Sequence, residues 1–296
     1  MSSTEEPFCN DSRKARHAPL NESYLMPSDD VEEQRLHEQQ KLLSELFDGR
    51  VVVPPVEFNE GSEVLDIATG SGAWVLDFAA RYPSADLTKI ICIDIGDALF
   101  PKSHPPNMTF QANSALQMPL EWTDRFTLVH QRLIIGGVKY DEWEALIQDI
   151  YRVTAPGGWV QLCENNAIYE VPGVEQGPAT KRLLETLKRL GDAIAMDLLC
   201  TRRIEELMNA AGFGDVRVEE RVTPLGAWNG EASRRHGENM MTVLHGLKAG
   251  VLMFGGLGMV RNGEEYEAVC NEAEREWAEG PGAYVGWYVF TGRKPQ

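Results

Sequence analysis

From residue 63 onward the sequence switches repeatedly between two hydrophobic periods, and this alternation constrains the fold more than any other feature. Short apolar runs rich in β-branched residues read as strands: "EVLDIAT" (63–69), "KIICIDI" (89–95), "MTFQAN" (108–113), "FTLVHQRLI" (126–134) and "WVQLCEN" (159–165). Segments with helical spacing lie among them. These are "AWVLDFAARYP" (73–83), stopped near Pro83, and "EWEALIQDIYRVT" (142–154), ended by "APGG". A helix between two strands carries the chain back across the sheet, so the next strand starts in the same direction. The alternation therefore predicts an α/β fold, a doubly wound and mostly parallel sheet. Ligands of such sheets sit at the carboxyl ends of the strands.

Beyond residue 175 the pattern changes. "PATKRLLETLKRLGDAIAMDLL" (178–199) and "RRIEELMNAAGF" (202–213) are helical, "DVRVEERVTPL" (215–225) alternates valine like a strand, and "AYVGWYVFTGRK" (283–294) reads as another strand. Residues 231–279, between these late strands, hold two or three helices and a bend rich in Gly and Met, "LKAGVLMFGGLGMV". A helical insertion at about 228–280 is expected to cap the ligand edge of the sheet. On the amino-terminal side, "DVEEQRLHEQQKLLSELFD" (30–48) reads as a charged amphipathic helix with Leu36, Leu42, Leu43, Leu46 and Phe47 on one side. Pro54 and Pro55 then break the chain. The expected organisation is a mobile tail (1–20), a helical cap segment (21–60) and the main domain (61–296).

Charge excludes one class of partner. There are 28 basic against 45 acidic residues, a net charge of −17, whereas a nucleic-acid surface needs a basic footprint. No apolar run approaches the ~20 residues that cross a bilayer, so no membrane partner is expected. The five cysteines (Cys9, Cys92, Cys163, Cys200, Cys270) have no metal-ligand spacing, and no metal is expected. Scattered thiols of this kind suit a reducing compartment, so a cytoplasmic or nuclear location is expected. The start of the chain lacks the apolar core of a secretory signal.

The stretch "VLDIATGSGAW" (64–74) carries the chemistry. Gly70 and Gly72 let a ligand approach the backbone, and the helix that follows presents free N–H groups. A dinucleotide fingerprint needs a third glycine where Val75 stands. A ligand with an ammonium in place of a pyrophosphate fits better, because Asp66 supplies a carboxylate beside the loop. Asp66 is also placed to cap the glycine loop through hydrogen bonds.

These residues resemble the class I S-adenosylmethionine-dependent methyltransferases. Asp66, Gly70 and Gly72 match that family's acidic glycine motif, and Ala68 stands where its first glycine usually falls. The resemblance implies a seven-stranded Rossmann-like sheet and S-adenosylmethionine as cofactor, with S-adenosylhomocysteine as product. It also implies roles for individual residues. Asp94, ending "ICID", would grip the ribose, Ile95 would lie against adenine, and Asn113 or Ser114 would face the adenine amino group. His130, Gln131 and Arg132 in "VHQR" would face the methionine end, and Arg132 is also placed to pair with an acid such as Glu164. "YLMPSDDVEEQRLHEQQ", "FPKSHPPNMTF", "LVHQRLIIGGV" and "PGGWVQLCE" are similar to the fungal secondary-metabolism methyltransferases, the LaeA-like and gliotoxin bis-thiomethyltransferase-like group. In that group a tyrosine closes over the cofactor, and Tyr24 matches it.

Methyl transfer from a sulfonium is an in-line displacement, and alignment alone contributes ~7–11 kcal/mol. The candidate bases are His130, His236 and His245. Met240, Met241, Met253 and Phe254 are candidates for an adaptable apolar substrate wall. The absence of a convincing acid–base pair favours an acidic nucleophile, because a thiol ionises more readily than a phenol. The expected activity is therefore methylation of a small, largely apolar metabolite, with a thiol or dithiol as first choice and O- or N-methylation as the alternative. A LaeA-like regulatory protein acting through protein partners is the other class of reading.

Overall fold

The structure, a computed structural model, describes residues 25–82, 88–166 and 169–296. Seven strands form one sheet: β1 (Glu63–Ile67), β2 (Lys89–Asp94), β3 (Met108–Ala112), β4 (Phe126–Arg132), β5 (Thr154–Asn166), β6 (Gly214–Pro224) and β7 (Tyr284–Arg293). Their spatial order is β3-β2-β1-β4-β5-β7-β6. The strands β1 to β5 pair in parallel, and β7 runs antiparallel to both β5 and β6. The chain builds outward from β1 to β3, then crosses back to lay β4 on the other side of β1. Connections on the two sides of that point leave in opposite directions, which opens a crevice beyond the strand ends.

The central strands are apolar almost throughout because both faces of the sheet are covered. Alternate residues feed different layers, as the two-residue strand period requires. Val64, Ile90, Cys92 and Leu128 pack with Trp74, Val75 and Phe78 of α2 (Ala73–Arg81). Leu65, Ile67, Ile91, Ile93 and Val129 pack on the opposite face with Leu146, Ile147 and Ile150 of α3 (Trp143–Val153), joined by Ile204 and Met208 of α5 (Ile204–Ala211). A third cluster gathers α1 (Asp30–Leu46), α4 (Pro178–Ile194), α6 (Glu231–Gly246), α7 (Lys248–Met253) and α8 (Gly263–Glu279) against Val285, Trp287 and Val289 of β7. The helices α6, α7 and α8 lie in the chain between β6 and β7.

Two local features differ from the sequence reading. The "APGG" segment, which ends the helix as expected, already lies inside β5, and the register against β4 shifts between Phe126 and Leu128. Close approach explains Gly158 there: a Cβ would meet Ala155 O and Phe126 O at 2.9 Å. The second is α1, whose buried side is not purely apolar. Leu42, Leu43 and Phe47 are buried as expected, but so are Glu32, Arg35, Gln39 and Gln40. The Asp29 carboxylate caps the helix by accepting from Val31 N at 3.1 Å and Glu32 N at 3.0 Å.

Candidate cofactor and substrate cavity

A cavity of about 370 Å³ opens at the switch point, beyond the carboxyl ends of β1, β2 and β4. The loop after β1 forms its floor, with Ala68, Thr69, Gly70 and Ser71 on the lining. Gly70 lies in the left-handed region at φ 53°, and so does Ala68 at φ 56°. A left-handed alanine is strained where glycine is not, which is the physical reason the related motif prefers glycine there. Gly72 has another use. It precedes α2 at φ 72°, and a Cβ on it would meet the Phe110 ring at 3.2 Å. It therefore serves the packing of the loop on β3 and does not line the cavity.

Asp94 ends β2 and faces the cavity. Its carboxylate accepts from Gly70 N at 2.9 Å and from Gly96 N at 3.3 Å. Burial pushes its pKa up, and the backbone N–H groups of Gly70, Gly96 and Ile95 oppose that shift. Ile95, 58% exposed, extends the same wall, followed by Asn113 and Ser114 after β3. Ser71 Oγ, also on the lining residues, is buried with no hydrogen-bond partner among the described residues.

Three residues expected at the ligand are sequestered instead. Asp66 is 2% exposed and does not line the cavity. One oxygen accepts from Thr69 Oγ1 at 2.6 Å, and the other lies 2.7 Å from His130 Nδ1. The strand alternation turns Asp66 and His130 toward the α2 layer, where the His130 ring stacks on Trp74 at 3.6 Å. The carboxylate thus braces the glycine loop from beneath. Burial lowers the pKa of His130, against the raising effect of its Asp66 partner, and the ring lies away from the cavity, so it is not placed as a base. Gln131 is fully buried, and its Nε2 donates to Glu164 Oε1 at 2.7 Å. Arg132 does reach the cavity lining. It pairs with Gln40 Oε1 of α1 rather than with Glu164.

The remaining candidates lie on the insertion, away from this cavity. His236 sits 6.2 Å from the Trp287 ring, and burial takes its pKa down to about 4. His245 Nδ1 is 2.6 Å from a Glu267 carboxylate oxygen. Met241 is core, Met240 and Phe254 pack against that core, and Met253 is 46% exposed. The expected methionine wall is therefore corrected: α6 and α7 dock on the β7 end of the sheet, not over the switch point. The apolar lining comes instead from Leu36 of α1, Leu116, Leu133, Ile134, Val138, and Ile194 and Met196 at the end of α4. Tyr24 and residues 1–20 lie outside the described residues.

The sequence reading missed two contributions. Arg35 and Gln39 of α1 line the cavity, and their only signal was polar residues on the buried side of an amphipathic helix. Glu164 is completely buried behind the loop that follows β4, and its Oε1 accepts from Ile134 N at 2.8 Å. Burial raises its pKa to about 8. An acid inside the apolar run "WVQLCEN" was the available signal. Among the described residues no cluster of His, Cys, Asp or Glu could hold a metal, and no helix is long and apolar enough to cross a membrane.

Residues 64–158 match the family described as a methyltransferase domain. The N-methyltransferase gliN of Aspergillus fumigatus is 26% identical over 92% of this chain and 96% of its own length. The N-methyltransferase sirN of Leptosphaeria maculans is 28% identical over 71% of this chain and 72% of its own. The secondary metabolism regulator LAE1 of Cochliobolus heterostrophus is 27% identical over 69% of this chain and 67% of its own. Among solved structures, mycolic acid cyclopropane synthase CmaA1 shares the fold with a TM-score of 0.52 at 14% identity, covering 81% of this chain and 80% of that one.

A methyltransferase domain on this sheet, with its cavity at the switch point, defines the class: the chain is a class I S-adenosylmethionine-dependent methyltransferase. Over most of its length it is similar to fungal N-methyltransferases and to a fungal secondary metabolism regulator. The cavity residues fit the cofactor. Asp94 would offer carboxylate oxygens to paired hydroxyls and Ile95 an apolar edge to a purine, and Ser71 Oγ is a buried polar atom without a partner among the described residues.

Proposed function

We propose that the protein methylates a nitrogen of a small, largely apolar metabolite. The observation that carries this reading is the composition of the cavity. One end has Asp94 and the backbone of Gly70 and Ser71, and the other is walled by Leu133, Ile134, Val138, Ile194 and Met196. The first end suits a nucleoside and the second an uncharged acceptor. S-adenosylmethionine supplies an electrophilic methyl group when bound. The chain's own residues hold the acceptor in line, exclude water with the apolar wall, and orient the loop after β4 through Glu164. Nitrogen is preferred because the relatives gliN and sirN are N-methyltransferases.

A thiol acceptor is the second reading. It is favoured because His130, His236 and His245 all lie off the cavity, and a thiol needs less help to ionise than a hydroxyl. In the same proposal the enzyme works in the cytoplasm on a small molecule, and a protein partner of the kind a regulator would need is the alternative. One experiment separates these. Methyl-labelled cofactor is incubated with the protein and matched acceptors that carry either a secondary nitrogen or a thiol on one apolar scaffold. Label on nitrogen supports the proposal, and label on sulfur alone reverses the order of the two readings. No label on any acceptor, together with a stoichiometric partner in a pull-down, would favour the regulatory alternative.

A further inference from the structure

We infer that Arg35 and Gln39, one turn apart on α1, clamp the amino-acid end of the bound cofactor, Arg35 taking the carboxylate and Gln39 the ammonium. The inference rests on the cofactor reading above and assigns the end of the ligand that Asp66 cannot reach.

The guanidinium of Arg35 is held in place by a neighbour. Its Nε and Nη2 donate to the two carboxylate oxygens of Glu32 at 2.7 and 2.6 Å, and Arg35 and Glu32 are only 9% and 1% exposed. The remaining nitrogen, Nη1, is buried and has no partner among the described residues. Gln39 is 5% exposed and shows the same pattern. Its Nε2 lies 3.5 Å from Asn239 Oδ1, while its Oε1 is buried without a partner among the described residues. Both residues line the cavity. Positions i and i+4 share one face of a helix. The cavity is therefore offered one unsatisfied cationic donor and, one turn along, one unsatisfied neutral acceptor. Buried polar groups are rarely left this way without a ligand or an ordered water.

The pair is complementary to an α-amino acid zwitterion. A carboxylate accepts from Nη1–H of the guanidinium, and an ammonium donates to the Gln39 amide oxygen. The position also fits. Leu36, next to Arg35, places its Cδ1 3.2 Å from where a Cβ on Gly70 would stand, so α1 lies directly over the glycine loop. The Gly70 N–H donates to Asp94, so the loop connects the clamp to the ribose end. Arg132, the other guanidinium on the lining, is engaged by Gln40, which itself donates to Asp77 at 2.7 Å.

Calorimetry with two ligands tests the inference. S-adenosylhomocysteine carries the amino-acid end, and 5′-methylthioadenosine lacks it. The variants are E32Q/R35Q, which removes both members of the buried ion pair, and Q39L, which removes the acceptor while leaving that pair intact. Charge-assisted hydrogen bonds of this kind correspond to roughly ten- to a hundredfold in affinity. E32Q/R35Q is therefore expected to lose about that factor for S-adenosylhomocysteine and to keep its affinity for 5′-methylthioadenosine. Q39L is expected to show the same selectivity with a smaller loss. Unchanged S-adenosylhomocysteine binding in both variants, or equal weakening of both ligands, overturns the clamp. Should E32Q/R35Q fail to fold, Q39L decides alone. Failure of the wild-type protein to bind either ligand would overturn the cofactor reading itself, and the clamp with it.

Discussion

Two strand-end acids that look alike in the sequence do different work. Asp94 faces the cavity with its carboxylate shared between two backbone N–H groups, whereas Asp66 is enclosed by Thr69 and His130. Asp94→Ala is expected to weaken S-adenosylhomocysteine binding by roughly tenfold or more, as loss of a charged hydrogen-bond partner does, with a small change in stability. Asp66→Ala leaves a buried imidazole and a hydroxyl unpaired, which costs about 2–4 kcal/mol of stability. Calorimetric binding beside denaturant unfolding reads both variants, and the opposite pattern would refute the division. Glu164 adds a pH dependence. Its pKa is about 8 in the native protein, against ~4.3 for an ordinary glutamate. Between those values the native state keeps a proton that the unfolded chain has lost, so stability falls as pH rises through that window and levels off above it. Glu164→Gln removes that slope. Melting temperatures at pH 5.5 and 8.5 should therefore differ less in the variant than in the wild type, and an equal difference would show that Glu164 is not the group responsible.

At the scale of elements, α1 is attached in two ways. Its second half buries Leu42 and Leu43, with Phe47 just beyond its end, whereas residues 30–39 are held by polar contacts such as Asn239 Nδ2 to Arg35 O at 2.9 Å and Arg235 to Glu38. The Asp29 cap stabilises that weaker half. Asp29→Ala should cost about 1 kcal/mol of helix stability and speed amide exchange in residues 30–39 more than in 40–46, with a several-fold loss of S-adenosylhomocysteine affinity. Uniform exchange along α1 would refute the two-part attachment. The same helix shows where sequence reasoning ends. The strands were legible because a two-residue period is a local signal, and Asp94, Ile95, Asn113 and Ser114, which the family resemblance implied, line the cavity because they stand at strand ends on one edge of the parallel sheet. Which side of α1 meets the glycine loop depends on α6, some 200 residues away in the chain, and no local pattern encodes that. The methionines of α6 and α7 failed for a related reason: apolar content shows that a residue packs, not against what. Asp66 was misread because its rank in the strand, not its charge, decides which layer it enters.

At the scale of the whole molecule, the sheet order separates binding from bulk. The switch between β1 and β4 fixes the cavity at one side, and the insertion helices close the apolar face at the β7 end. A ligand that binds only the native state stabilises it by RT ln(1 + [L]/Kd), about 2.7 kcal/mol at a hundredfold excess over Kd. A chain of this size converts each kcal/mol to roughly 2–4 °C in melting temperature. Met241, 3% exposed in the insertion core, lies off the cavity lining. Met241→Ala should lose about 2–4 kcal/mol through transfer and cavity terms, yet gain the same stabilisation from S-adenosylhomocysteine as the wild type when each is measured at a hundredfold excess over Kd. Its dissociation constant should stay within about twofold, because Met241 meets the cavity only indirectly, through the core against which the lining residues Leu133 and Ile194 also pack. Titrating ligand against thermal unfolding of both proteins reads the two quantities together. A Met241→Ala dissociation constant raised tenfold would mean that the insertion and the cavity form one cooperative unit, coupled through Leu133 and Ile194, which line the cavity and pack against the insertion core.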